Sequence, residues 1–142
     1  MKEHHGRILA IDYGTKRVGI AMSDPLGVIA QGIGTIENDE ELCDRISDLV
    51  RQHEIVSVIV GMPYGPDGGR NGKALEVEAF IVKLRAVIAV DVQTWDESYS
   101  SVNAHRAFIE AGMKRKKRQQ KSRVDEMAAR LLLQEFLDQH DH

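Results

Sequence analysis

The hydrophobic positions at the start of the chain form three short runs separated by turn-forming residues. These runs are rich in Val, Ile and Ala, and they predict strands over Arg7–Ile11, Arg17–Ser23 and Val28–Ile36. Tyr13–Lys16 reads as a tight turn between the first two. Because the connections are short, we expect the three strands to form an antiparallel meander.

Further along, the hydrophobic period changes, and helices are expected to alternate with strands. Apolar residues and His53 recur at helical spacing after Asn38, which is suited to cap a helix that runs to about His53. Ile55–Met62 is almost continuously apolar and predicts a strand buried on both faces. The remaining elements predicted are a helix over Lys73–Val87 with Leu75, Val77, Phe80, Ile81 and Leu84 inward, a strand over Val90–Trp95, and helices over Ser98–Gly112 and Arg123–Leu137.

This order of elements restricts the topology to a single α/β domain spanning residues 1–142. A crossover from strand three returns parallel to strand one, so strand four fits on the free side of strand one and strand five beyond it. The expectation is a five-stranded mixed sheet of order 3-2-1-4-5 with helices on both faces. Asp12 and Glu97 then emerge at the same carboxyl edge, where ligand sites of open α/β sheets lie.

Asp12 is the first candidate site residue, because it follows four apolar residues on the predicted central strand. A carboxylate in that position loses hydration and needs a cation or several hydrogen-bond donors. The alternative is structural, since Asp often accepts backbone N–H groups in a turn such as Tyr13–Lys16.

Glu97 and Asp125 are the second and third candidates. Glu97 stands between strand five and the next helix, where Asp96 or Ser98 is sufficient as a cap. Asp125 follows Ser122 at the spacing of a capping box, which is its structural alternative. If it instead flanks the apolar stripe of the last helix in its first turn, it reaches over the sheet edge.

Three carboxylates from separate elements match the ligand preference of hard cations such as Mg²⁺ or Mn²⁺. Two such ions activate a water and stabilise the leaving oxygen of a phosphodiester. Asp12, Glu97 and Asp125 are therefore expected to be both metal ligands and catalytic residues.

Basic residues are concentrated in one segment of a chain whose formal net charge is only −3. Seven of the ten residues from Lys114 to Arg123 are Lys or Arg, which leaves twelve basic and twenty-two acidic residues elsewhere. The segment indicates either a localised polyanion contact or a solvated loop without a partner. The expected phosphate contacts are Lys16, Arg17, Lys114, Arg115, Lys116, Lys117, Arg118, Lys121 and Arg123.

Other functional classes find little support in the chain. The glycine-rich loop ends Gly72-Lys73-Ala74 and lacks the Ser or Thr of a P-loop, and the histidines lack zinc spacing. The polar start and the absence of a long apolar run lead us to expect a cytoplasmic protein without a membrane segment. Cys43 is the single cysteine and is expected to be a packed thiol.

Several motifs together resemble the YqgF family of pre-16S ribosomal RNA nucleases, also called Holliday junction resolvases. They are Ile11–Gly19 followed by Ser23-Asp24, Val60–Pro63 with Asp67-Gly68, then Asp96-Glu97, and finally Val124–Ala129 leading into three leucines and a glutamine. The resemblance runs in order from about Gly6 to Leu137. It implies a ribonuclease-H-like fold and a metal-dependent nuclease site at Asp12, Glu97 and Asp125. It also implies trimming of the 5′ end of 16S rRNA in the bacterial cytoplasm, with four-way DNA junctions as the older proposal.

The chain departs from the family pattern at Ser98, where an Arg is common, and at Tyr64-Gly65-Pro66. The first departure puts substrate preference in question more than chemistry. Two other functions stay open at this point. One is a non-catalytic nucleic-acid binder, and the other is an ATP-binding domain of the actin and Hsp70 type, whose first phosphate-binding turn Asp12–Thr15 resembles. The substrate is expected to be structured RNA or branched DNA, and the chain a monomer or a homodimer.

Overall fold

The protein is represented by a computed structural model that describes residues 6–63, 72–97 and 117–140. The strands are β1 (Arg7–Asp12), β2 (Arg17–Ser23), β3 (Ala30–Glu37), β4 (Ile55–Met62) and β5 (Asp91–Asp96). The helices are α1 (Leu42–Gln52), α2 (Gly72–Arg85) and α3 (Lys117–His140). The helix expected over Ser98–Gly112 lies outside the described residues, as do Lys114, Arg115 and Lys116.

The sheet order is β3-β2-β1-β4-β5, which confirms the order expected from the sequence. β1, β2 and β3 form the antiparallel meander, whereas β1, β4 and β5 run parallel. Asp12 pairs with Gly19 of β2, Ile11 with Val60 of β4, and Gly61 with Trp95 of β5. The carboxyl ends of the three parallel strands therefore meet at one edge.

Alternation of side chains along the strands divides the core into two layers. One face of β1 contributes Leu9 and Ile11 to the layer that α1 and α2 cover. The opposite face contributes Ile8 and Ala10, which pack against α3. The α3 residues in this second layer are Ala128, Ala129, Leu132, Leu133, Phe136 and Leu137. Helices thus lie on both faces, as expected.

The basic segment is not a loop up to Arg123, because α3 already begins at Lys117. Asp125 lies eight residues after that start, in the interior of the helix rather than in its first turn. The capping-box interpretation of Ser122 and Asp125 is therefore wrong. An N-cap side chain accepts hydrogen bonds from the backbone N–H groups of the first helical turn, which have no partner within the helix. Backbone N–H groups as far inside as Asp125 already donate to carbonyl groups of the helix itself.

Two smaller expectations about the other helices are also wrong. Asn38 does not cap α1, which begins after Glu41 without a side-chain cap and ends before the exposed His53. In α2, Ala74 is buried while Leu75 is 49% exposed. The sheet-facing stripe of α2 is Ala74, Val77, Ile81 and Leu84, which places Leu75 one position off that stripe.

The turn between β2 and β3 is organised by Asp24, and the start of β3 is held by Gln134 of α3. Asp24 Oδ1 accepts hydrogen bonds of 2.8 Å from the backbone N–H groups of Val28 and Ile29. These bonds, that of Ile29 foremost, lower the pKa of Asp24 below its ordinary value of 3.8. Gln134 accepts from the Ala30 N–H at 2.9 Å and donates to the Val28 carbonyl at 3.0 Å. This bridge ties edge strand β3 to α3.

Cys43 is half-buried beside the α1–α2 layer rather than fully packed. Burial is the main cause that raises the pKa of its thiol above the ordinary value. No helix among the described residues has the length and apolar character to cross a bilayer.

Candidate active site

Asp12 ends β1 on the face of the sheet that α3 covers. Ile8 and Ala10 of the same strand pack on α3, and side chains two residues apart share a face. The residue is only 4% exposed. Burial removes the hydration of an ionised carboxylate, and the free-energy cost is offset only by cations or hydrogen-bond donors close to it. A buried aspartate at this position therefore indicates a functional or structural partner.

Glu97 directly follows β5, and its side chain lies over Gly61 of β4. A Cβ at position 61 would stand 2.9 Å from Glu97 Cδ and 2.5 Å from Leu132 Cδ1, so only glycine leaves room there. Gly61 follows Val60, the partner of Ile11, and therefore lies beside the end of β1. Glu97 is 4% exposed, and its carboxylate is thus buried on the side of the sheet where Asp12 lies.

Asp125 approaches the same place from α3, across Gly19 of β2. A Cβ on Gly19 would overlap the backbone carbonyl oxygen of Asp125, so the helix backbone rests directly on the strand. Gly19 is the antiparallel partner of Asp12. The Asp125 side chain is 21% exposed, and its Oδ2 lies 3.9 Å from Nη1 of Arg17.

The three acids therefore lie on one face at one edge, with Gly61 on one side of Asp12 and Gly19 on the other. Carboxylate oxygens of this kind suit Mg²⁺ or Mn²⁺. As the side chains stand, however, no three ligand-type groups within residues 6–63, 72–97 and 117–140 are gathered closely enough to hold one ion. The backbone brings the three acids to one edge of the sheet, but their three carboxylates do not converge on a common point.

The turn after Asp12 is fixed by Asn38, a contact that the helix-cap expectation missed. Its Nδ2 donates to the Gly14 carbonyl at 2.7 Å, and its backbone N–H donates to the Lys16 carbonyl at 3.0 Å. Both bonds join the end of β3 to the segment that carries Lys16 and Arg17. Asn38 therefore positions two of the cations expected to contact phosphate.

This contact predicts that Asn38→Asp destabilises the protein more than Asn38→Ala does. Alanine only removes a hydrogen bond worth about 1 kcal/mol, whereas aspartate places a carboxylate oxygen against the Gly14 carbonyl oxygen. Protonation restores a donor, so the gap between the two variants should shrink below about pH 4. Urea unfolding at pH 7 and at pH 3.5 measures both effects. Equal stabilities at pH 7 would contradict the assigned bond.

The cations are spread around this edge to different extents. Lys16 is exposed, Arg17 is half-buried at the start of β2, and Arg123 is exposed on α3. Lys117, Arg118 and Lys121 belong to the first two turns of α3. The part of the basic segment from Lys117 to Arg123 therefore belongs to α3, the helix that carries Asp125.

Gly19 and Gly61 are the site residues that sequence reasoning did not single out. Each is an isolated glycine within a strand pattern, a signal that often marks the close approach of another backbone or side chain. The sequence alone does not say which group approaches. That information comes from α3 and Glu97, which are distant along the chain.

Two depressions are present in the described surface, and none of the three acids lines either of them. One, of about 310 Å³, lies between β3 and α1 and is lined by Ile33, Leu49 and Arg45 among others. The other, of about 500 Å³, is lined by Trp95, Asp96, Glu135, Asp138 and Gln139. Its acidic wall would repel phosphate. We therefore take the sheet edge as the candidate site, since a nucleic-acid backbone needs an open surface more than a deep cavity.

Comparison with known proteins agrees with this architecture. The family model described as RuvX, Holliday junction resolvase, matches residues 6–139. A Bacillus cereus (strain G9842) protein provisionally named a pre-16S rRNA nuclease is 43% identical over 136 residues, covering 93% of this chain and 98% of its own. A relative from Bacillus thuringiensis (strain Al Hakam) with the same name has the same identity and coverage.

Solved structures show the same fold at low sequence identity. T. thermophilus RuvC, solved with a Holliday junction substrate, superposes with a TM-score of 0.57 at 14% identity, over 96% of this chain and 97% of that chain. The Fowlpox virus resolvase with junction DNA gives 0.56 at 12% identity, over 94% and 98%. The expected ribonuclease-H-like fold is thereby confirmed. The family match over residues 6–139, together with the 43% identical relatives, shows that the chain belongs to the RuvX family of Holliday junction resolvases.

Proposed function

We propose that the chain is a divalent-metal-dependent nuclease that hydrolyses phosphodiester bonds in structured nucleic acid. Its proposed substrate is the 5′ end of the 16S rRNA precursor, and its place of action is the cytoplasm. The names of relatives that are 43% identical over almost their full length support the RNA substrate. Membership of the RuvX family supports the nuclease class.

The observation that carries this proposal is the arrangement of Asp12, Glu97 and Asp125. Two buried carboxylates from the ends of β1 and β5, and a third from α3, lie on the same face of the carboxyl edge. When bound, Mg²⁺ or Mn²⁺ would supply an activated water and stabilise the leaving oxygen. The protein's own share is to hold Asp12 at the end of β1, Glu97 directly after β5 and Asp125 on α3, so that all three face one edge of the sheet.

Cations on the rim of the site complete the proposed interface. Lys16 and Arg17 lie just before and at the start of β2, beside the edge that carries the acids, and the proposed surface also includes the basic residues of the first turns of α3. Contacts of this kind position a phosphate backbone without reading its sequence. They also offset the repulsion between phosphate and three carboxylates. Binding is therefore expected to weaken steeply as salt concentration rises.

A four-way DNA junction is the second candidate substrate, and the family description favours it. Resolution of a junction requires two symmetric cuts and hence two copies of the site. We therefore expect a homodimer if junctions are cleaved, whereas end trimming of RNA needs only one site. Analytical ultracentrifugation with and without junction DNA separates these cases.

The proposed function is tested by cleavage of a labelled rRNA precursor end and a four-way junction, each with Mn²⁺, Mg²⁺ or EDTA. We expect metal-dependent cleavage of the RNA that falls at least about tenfold in Glu97→Gln, because loss of an ionised ligand weakens metal binding. Glu76→Gln changes an exposed carboxylate of α2 and serves as the matched control.

Cleavage of neither substrate, with binding of both retained, would overturn the nuclease assignment in favour of a non-catalytic binder. Cleavage that is equally strong in EDTA would overturn the metal dependence. Junction cleavage without RNA cleavage would select the second candidate.

A further inference from the structure

Arg17 forms an ion pair with Asp125, one of the proposed metal ligands, and shares a face of the sheet with the three acids. It precedes Gly19 by two residues on β2, so both positions lie on the α3 side of the strand. Its Nη1 is 3.9 Å from Asp125 Oδ2, and the two side chains are 22% and 21% exposed. An ion pair thus lies at the rim of the site, between the buried carboxylates and solvent.

The Asp125 main chain has little freedom, because it rests on Gly19 next to Asp12. Rotation of its side chain is therefore the available way to move its carboxylate. In the described residues the acids are on one face yet no three of them are gathered around a common point. The contact with Arg17 gives a physical reason for this arrangement, because it holds the Asp125 carboxylate toward Arg17 while the Asp125 backbone lies next to Gly19.

We propose that Arg17 is a positioning residue that holds the Asp125 carboxylate at the rim while no nucleic acid is bound. A phosphate of the substrate then competes for the guanidinium, and Asp125 becomes available to the metal. The inference rests on the proposed function, because it concerns the same three carboxylates. Its consequence is that metal binds a few-fold more weakly until nucleic acid is present.

The chemistry of the two groups supports such an exchange. A guanidinium can bind a phosphate in the same forked geometry in which it binds a carboxylate. Because the side chains of Arg17 and Asp125 are both partly exposed, a phosphate from solution can reach the guanidinium. A partly exposed ion pair is weak enough to be exchanged and biases an equilibrium only a few-fold. Coupling of this kind is reciprocal, so metal should also strengthen the binding of nucleic acid.

The test measures Mn²⁺ affinity by calorimetry in the absence of nucleic acid. Arg17→Met should bind Mn²⁺ about two- to fivefold more tightly than the wild type, because Asp125 is released. Lys16→Met removes a neighbouring cation that has no described contact with Asp125, and it controls for the general loss of positive charge. Any rise in its Mn²⁺ affinity measures the loss of a nearby positive charge alone, and it should be smaller than the rise in Arg17→Met.

The outcomes separate this inference from the proposed function. If the wild type binds Mn²⁺ and Arg17→Met binds it no more tightly than Lys16→Met, the role of Arg17 is wrong and the nuclease proposal stands. If the wild type binds no Mn²⁺, both are overturned. Thermal unfolding of each variant shows whether the fold is kept. If Arg17→Met unfolds, Arg17→Gln replaces it and is compared with Lys16→Gln, with the same expected result and the same contradicting result.

Discussion

Asp12→Asn should reduce metal-dependent cleavage by about 100-fold or more while the protein stays folded. Asp12 lies between Gly61, which Glu97 approaches, and Gly19, which Asp125 approaches. Its carboxylate would therefore be the one that could bind a metal ion together with either of the other two acids. The amide has the same shape but lacks the charge that attracts a divalent cation. A loss of about 3 kcal/mol in transition-state stabilisation corresponds to this factor. Single-turnover cleavage with saturating enzyme measures it.

A second readout distinguishes a lost metal site from a damaged fold. The unfolding temperature of the wild type should rise with added Mn²⁺, since a ligand that binds only the folded state stabilises it. The unfolding temperature of Asp12→Asn should not change with added Mn²⁺. Asp44→Asn changes an exposed carboxylate on α1, on the opposite face of the sheet, and is expected to behave as the wild type in both assays. An Asp12→Asn protein that cleaves normally would remove the basis of the assignment.

Gly19→Ala should have the largest effect on stability, with a loss of about 1–3 kcal/mol or more in the free energy of unfolding. The added methyl group overlaps the backbone carbonyl of Asp125, which cannot rotate away as a side chain can. α3 must therefore shift from β2, and Asp125 shifts with it. Urea unfolding gives the stability, and cleavage should fall even at temperatures where the variant is folded.

Gly72→Ala is the matched control, because a Cβ at this helical position meets nothing within 4 Å. Alanine is also the better helix former, so the control is expected to be neutral or slightly stabilising. A Gly19→Ala variant as stable and active as Gly72→Ala would show that the helix does not rest on the strand as described.

Most of the fold could be predicted from the pattern of apolar and polar residues in the strands. The continuous apolar run Ile55–Met62 and the polar ends of Arg17–Ser23 mark strand boundaries that the structure reproduces, because burial on both faces leaves little choice of residue. The sheet order followed from connection rules rather than from any single residue. Helix boundaries were less well predicted, because a strongly basic helix start such as Lys117 has no apolar period to reveal it.

The candidate site was predictable as residue types but not as geometry. Asp12 was singled out because a carboxylate directly after an apolar strand is costly, and Glu97 because Asp96 or Ser98 is sufficient as the cap of the next helix. Both are indeed buried. Asp125 was placed in the right helix but in the wrong turn. What local sequence could not supply are the contacts of Gly19 with Asp125 and of Gly61 with Glu97, since each joins segments far apart in the chain. The roles assigned to the three acids remain predictions.

The position of α3 along the chain has a consequence for biosynthesis. β1 is made early, yet among the described elements the layer that contains Ile8 and Ala10 is covered by α3, more than a hundred residues later. A nascent polypeptide from which this helix has not yet emerged lacks Asp125 and leaves the α3-facing side of β1 without this cover. On the proposed assignment of the three acids, such a nascent chain is expected to be inactive until the segment from Lys117 onward has left the ribosome and packed on the sheet.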